Sequence, residues 1–101
     1  LYQQSIELNP NYGQAYSNLG LAFQKAGRTA EALFANRKAI ALASGNTAST
    51  VRASSYYNNA RIYEEAGQWS DALREYRNAK REKSNAIYDK SIQRMQAKGG
   101  R

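Results

Sequence analysis

An all-α fold is predicted by three observations. Apolar residues recur at helical spacing, and no segment alternates as a half-buried strand would. The breaks between apolar stretches coincide with Asn9-Pro10-Asn11, Gly27, Ser44-Gly45-Asn46-Thr47, Gly67 and Ser84-Asn85. The series Tyr16, Leu19, Gly20, Phe23, Gly27, Ala32, Leu33 and Ala39 returns forty residues later as Tyr56, Ala60, Tyr63, Gly67, Ala72, Leu73, Tyr76 and Ala79. A self-similar unit of that length marks an array of helix-turn-helix repeats, a solenoid of about six helices closed by a C-terminal capping helix.

The elements follow in order. Residues 1–10 carry Tyr2, Ile6 and Leu8 and stop at Pro10, which cannot continue a helix and disfavours α geometry in its predecessor. They read as the second-helix remnant of an upstream repeat. Because the chain opens at Leu1 without an initiator Met, it is expected to be a piece of a longer protein. A helix from about Tyr12 to Ala26 ends at Gly27, and its partner runs from Thr29, the expected N-cap, to Ala43; together they make a first unit over residues 13–43.

Residues 44–52 are expected to hold an insertion and linker, with a helix starting between Thr47 and Thr50 and running to Ala66-Gly67. Its partner spans about Ser70 to Lys83, which closes a second unit over residues 53–83. Ser84-Asn85 caps a last helix, the capping helix of residues 85–98, with Ile87, Tyr88, Ile92 and Met95 as its apolar stripe. Residues 99–101 are expected to fray.

Several function classes are excluded by what the chain lacks. Without Cys there are no disulfides, thiolate metal sites or thiol nucleophiles, and without His there is no imidazole base or ligand. Glu64 and Glu65 are adjacent, and neighbours on a helix diverge, so they form no carboxylate pair. No phosphate loop, catalytic triad or metal-ligand spacing is present. The expectation is a non-enzymatic chain with no cofactor and no metal.

Charge is uneven. The chain carries +7 at pH 7; six Lys and Arg meet five Asp and Glu up to Leu73, and from Arg74 onward nine basic residues meet three acidic ones. Such a surplus can steer acidic partners. Arg74, Arg77, Lys80 and Arg81 are expected on a solvated outer face, and Trp69 is expected to plug the turn of its hairpin.

The first unit resembles a tetratricopeptide repeat: Tyr16, Leu19, Gly20 and Phe23 match the family's first helix, and Ala32 and Ala39 its second. The second unit matches at Tyr56, Ala60, Tyr63, Gly67, Ala72, Tyr76 and Ala79, and the opening segment at Tyr2, Ile6, Leu8 and Pro10. Small residues let helices approach closely while Tyr16, Phe23, Tyr56, Tyr63 and Tyr76 fill the gaps between pairs. There are departures. Asn36 stands where the family has an aromatic, with Phe34 as a possible substitute, and Asn59 stands where it has Leu. The longer second unit, with its run Tyr56-Tyr57-Asn58-Asn59-Ala60, is similar to the kinesin light chain variety.

The resemblance implies a protein-interaction module that binds a peptide or protein segment in a concave groove lined by first helices. The groove residues it implies are Gln14, Ser17, Asn18, Leu21 and Lys25 in the first unit and Ser54, Tyr57, Asn58, Arg61 and Glu65 in the second. Asn18 and Asn58 share a register, and an amide can both donate to and accept from an extended backbone. The carboxylate clamp of some relatives is not expected, because Tyr88 and Ile92 fall where a third helix would need cations. An acidic or C-terminal peptide is the expected partner class; nucleic acid and membrane rank below it. The alternatives are electrostatic binding to nucleic acid or an anionic membrane through the basic C-terminal helices, and a structural segment that self-associates through exposed repeat ends.

Overall fold

The computed structural model describes residues 12–101 and contains five α-helices and no strand among them. They are α1 (Tyr12–Lys25), α2 (Thr29–Leu42), α3 (Ala48–Glu65), α4 (Trp69–Glu82) and α5 (Ala86–Ala97), with a short 3-10 turn at Gly45–Thr47. The sixth helix expected from the sequence would lie on residues 1–10, outside the described residues. Each helix packs on its chain neighbour, α1 on α2 and α3 on α4, and α3 also packs on α1. Two hairpins therefore stack in sequence, and α5 closes the second.

Glycine sets both hairpin turns. At Gly27 and Gly67 φ is +78° and +73°, values that cost little only without a Cβ. In each case the next two amides close a Schellman motif: Gly27 donates to Gln24 and Arg28 to Phe23, while Gly67 donates to Glu64 and Gln68 to Tyr63. Arg28 then lies over the Phe23 ring at 5.2 Å, so the turn is held by a side-chain contact as well.

One helix cap departs from expectation. Thr29 is the first residue of α2; Arg28 occupies the cap position without a side-chain capping bond. Asn85 does cap α5, accepting from the Ile87 amide at 2.8 Å. Residues 48–52 are helical, not linker: they lengthen α3 and lay it along the end of α4. There Val51 and Ala53 are buried, Arg52 pairs with Glu82, and Lys83 donates to Thr50 at 3.1 Å.

The core is built from alanine rows. Ala32, Ala35 and Ala39 of α2 and Ala60, Ala72 and Ala79 of the second hairpin are buried, with Leu73, Tyr76 and Met95 filling the space between helices. Trp69 packs half-buried against this cluster, as expected of a residue closing a turn. Ile87 does not share the buried stripe of α5; it is 54% exposed, whereas Tyr88, Ile92 and Met95 turn inward.

The two departures at Asn36 and Asn59 resolve each other. Both are buried, and Asn36 Nδ2 donates to Asn59 Oδ1 at 2.8 Å across α2 and α3. Phe34 substitutes for nothing; it is 59% exposed. Room for the pair comes from Gly20, where a Cβ would fall 2.1 Å from Asn36 Oδ1. That oxygen has no hydrogen-bond donor among the described residues.

Residues 99–101 are docked rather than frayed. Gly100 donates to the Met95 carbonyl at 2.9 Å and packs against the Trp69 backbone, and the Arg101 amide donates to Ser70 Oγ at 3.3 Å. The last helix ends in the same Schellman geometry as α1 and α3, and that turn aims the chain at the start of α4.

Gly20→Ala should lower unfolding free energy by about 1–3 kcal/mol, because the new methyl meets the Asn36 amide. In urea denaturation, Gly20→Ala combined with Asn36→Ala should cost less than the sum of the two single changes. Strict additivity would show that Gly20 and Asn36 do not share this space.

Candidate functional site

The groove residues expected from the sequence divide into three groups. Tyr57, Arg61 and Glu65 come together on α3 and line a cleft of about 460 Å³ with Glu64, Trp69, Arg94 and Lys98. Gln14, Asn18, Leu21 and Lys25 are exposed along α1, where Gln14 Nε2 donates to Asn18 Oδ1 at 3.0 Å; Ser54 and Asn58 are half-buried on α3. Ser17 is a correction. It is 5% exposed and accepts from Ser55 Oγ at 3.2 Å, so it belongs to the seam between α1 and α3. The reason is spacing: helices that approach on small residues bury the side chain facing the neighbour, whatever its polarity.

The cleft is held by an aromatic and ionic scaffold. The Tyr57 ring lies between Tyr76 at 5.7 Å and Tyr88 at 5.4 Å, both tilted, and the Arg61 guanidinium sits 5.9 Å above it. Glu64 accepts from the Tyr76 hydroxyl at 2.6 Å and from both arms of Arg94 at 2.7 and 2.8 Å. This bidentate pair ties α5 to α3 and fixes the far wall of the cleft. Lys98 lies 4.9 Å over the Trp69 ring. The sequence reading missed Trp69, Arg94 and Lys98 as lining residues, because they reach the cleft from α4, α5 and the turn after it.

Titration follows these contacts. The Arg94 hydrogen bonds hold the Glu64 carboxyl below its ordinary value, aided by the Tyr76 hydroxyl and opposed by partial burial. Burial, then the bond to Glu64, pushes the Tyr76 phenol well above its usual range, and burial raises that of Tyr88. Of the two carboxylates lining the cleft, Glu64 is thus committed to the scaffold.

The turn glycines also fix the register of α5. Asn18, Asn58 and Lys90 each stand nine residues before a glycine of positive φ, at Gly27, Gly67 and Gly99. Tyr88 takes the register of Tyr16 and Tyr56, the packing aromatics, and is 9% exposed. The sequence reading placed Tyr88 and Ile92 at groove positions; the structure turns them inward and leaves Lys90, which shares the register of the two asparagines, exposed. The phase error arose because the interval between turn glycines shortens from forty residues to thirty-two.

Among the described residues, no group of acidic side chains could hold a metal ion, and no helix is long and apolar enough to cross a membrane. Comparison with known families finds that a tetratricopeptide repeat model matches residues 1–34, the opening segment, α1 and the start of α2. Repeats of this family are typically non-enzymatic and mediate interactions with proteins or peptides. No curated protein and no solved structure matches the chain.

Glu64 gives a signed pH dependence. Its folded value lies below the ordinary 4.5, so its stabilising contribution is complete above that value and is lost as pH falls through the lower folded one. Denaturation at several acidic pH values should show a shallower acid loss for Glu64→Gln than for the native chain. Parallel curves would mean that Glu64 titrates alike in the folded and unfolded states.

Proposed function

We propose that this chain, whose residues 1–34 match a tetratricopeptide repeat, is an interaction module holding an extended peptide or protein segment along its first helices, α1 and α3, and against α5. The observation that carries this reading is the cleft where Tyr57, Arg61 and Glu65 meet Trp69, Arg94 and Lys98. Its lining suits a peptide. Rings offer flat apolar contact, Arg61 and Lys98 offer charge to an acidic side chain or chain terminus, and Glu65 offers an acceptor.

The row Asn18, Asn58 and Lys90 supports a path that continues beyond the cleft. Amides at matched registers can bond a peptide backbone without reading its side chains, each adding about 0.5–1.5 kcal/mol. Specificity then falls to Tyr57 and Arg61, whose geometry is fixed by the tyrosine cluster before any partner arrives. A surface arranged in advance loses less entropy on binding. The surplus of basic residues after Arg74 favours acidic segments and speeds their encounter.

Titration with acidic peptides, followed by calorimetry, tests the assignment. Asn58→Ala should weaken binding by about two- to tenfold, the equivalent of one lost hydrogen bond. Arg61→Ala should weaken it at least as much and flatten its dependence on salt. Ser17→Ala should leave affinity unchanged, since that hydroxyl faces α3. Unchanged affinity in both Asn58→Ala and Arg61→Ala would remove the groove.

A further inference from the structure

A second cleft, of about 350 Å³, is lined by Ser70, Asp71, Arg74, Arg77, Arg81 and Arg101 and shares no residue with the first. Arg74, Arg77 and Arg81 fall at spacings of three and four on α4, so they stand on one face along roughly 10 Å of helix. Arg101 joins them only through the docked chain end: the turn at Gly99 and the bond from the Arg101 amide to Ser70 Oγ carry it across from α5. Four guanidinium groups therefore converge from two places twenty or more residues apart in the chain.

Their charges are unequally committed. Arg74 is neutralised by Asp71 at 2.9 Å and by Glu75 at 3.2 Å. Arg81 bonds to the uncharged Asn78. Among the described residues, Arg77, Arg81 and Arg101 meet no carboxylate within ion-pair distance, and all three are exposed. Three like charges gathered around one concave space raise its affinity for a compact multivalent anion. The one acidic side chain lining the cleft, Asp71, is already held by Arg74.

We infer that this cleft is a phosphoryl-binding site that accepts a phosphorylated serine or threonine on a protein segment. A phosphoryl group carries roughly −1.5 to −2 charge at neutral pH, with three acceptor oxygens that the planar forks of arginine match bidentately. Other polyanions fit the lining less well. No aromatic side chain lines the cleft, so a single nucleic-acid strand has no stacking surface there. No apolar side chain lines it either, so a bilayer has nothing to bury. The site is independent of the peptide groove and stands or falls separately.

The test uses the full chain labelled for nuclear magnetic resonance. Inorganic phosphate should shift the side-chain signals of Arg77, Arg81 and Arg101 and the amides of Ser70 and Asp71, leaving Arg28 and Arg37 in place. A short glycine-alanine peptide with one phosphoserine should bind at least about tenfold more tightly than its unphosphorylated twin, in keeping with the strength of charge-assisted bonds. Arg77→Gln combined with Arg101→Gln should abolish that preference, and Arg81→Gln alone should reduce it. All three side chains are exposed, so folding should be retained and is checked by circular dichroism. Arg37→Gln, at a position that lines neither cleft, should leave the preference intact. Equal affinity for the two peptides, a preference that survives the double change, shifts spread evenly over all arginines, or tighter binding of an oligothymidine strand or of phosphatidylserine vesicles than of the phosphopeptide would each overturn the proposal.

Discussion

The stack of hairpins depends on how closely α1, α2 and α3 can approach, and that distance is set around one buried pair of amides. Asn36 and Asn59 face each other across α2 and α3, and Gly20 leaves the space that the Asn36 amide fills. A buried amide is costly unless bonded, so the two helices are stable only in the register that brings the pair together. Apolar alanine rows alone would tolerate sliding; the amide pair does not. One acceptor remains without a donor, which makes this pair a device for specifying alignment more than a source of net stability.

That alignment is passed on through α3, which touches both hairpins. Its first-hairpin side carries Ser55 and Asn59, and its second-hairpin side carries Ala60 and the half-buried Tyr56, Tyr57 and Tyr63. Tyr57 is packed by Tyr76 and Tyr88, and Glu64 is locked to Arg94, so α5 is fixed to α3 by one aromatic and one ionic contact. The same contacts that hold α5 in place build the walls of the cleft. The side chains that hold the helices together also line the cleft, so a change at Tyr57 would alter both packing and cleft shape.

Parts of this were legible in the residues themselves. Gly27 and Gly67 marked turns because only a left-handed residue closes them tightly, and Asn85 marked a start because its side chain can take an orphan amide. Tyr57, Arg61 and Glu65 were legible as neighbours because they repeat at helical spacing on one element. Residues whose partners lie on another element were not. Ser17 read as a groove residue and is buried beside Ser55; Phe34 read as a substitute for the aromatic missing at Asn36 and is exposed; Ile87 read as part of the apolar stripe and faces outward.

The sequence by itself determined the helical class, the two glycine-closed hairpins, the resemblance to a repeat family, and the absence of Cys and His with the chemistry they would bring. Local geometry decides those matters: a spacing of three and four, a residue without Cβ, a capping side chain. Only the tertiary structure decided that Asn36 and Asn59 pair, that Tyr88 turns inward, and that Arg101 joins the arginines of α4. Each depends on the distance and phase between helices, which arises from packing many side chains at once and is written in no single segment.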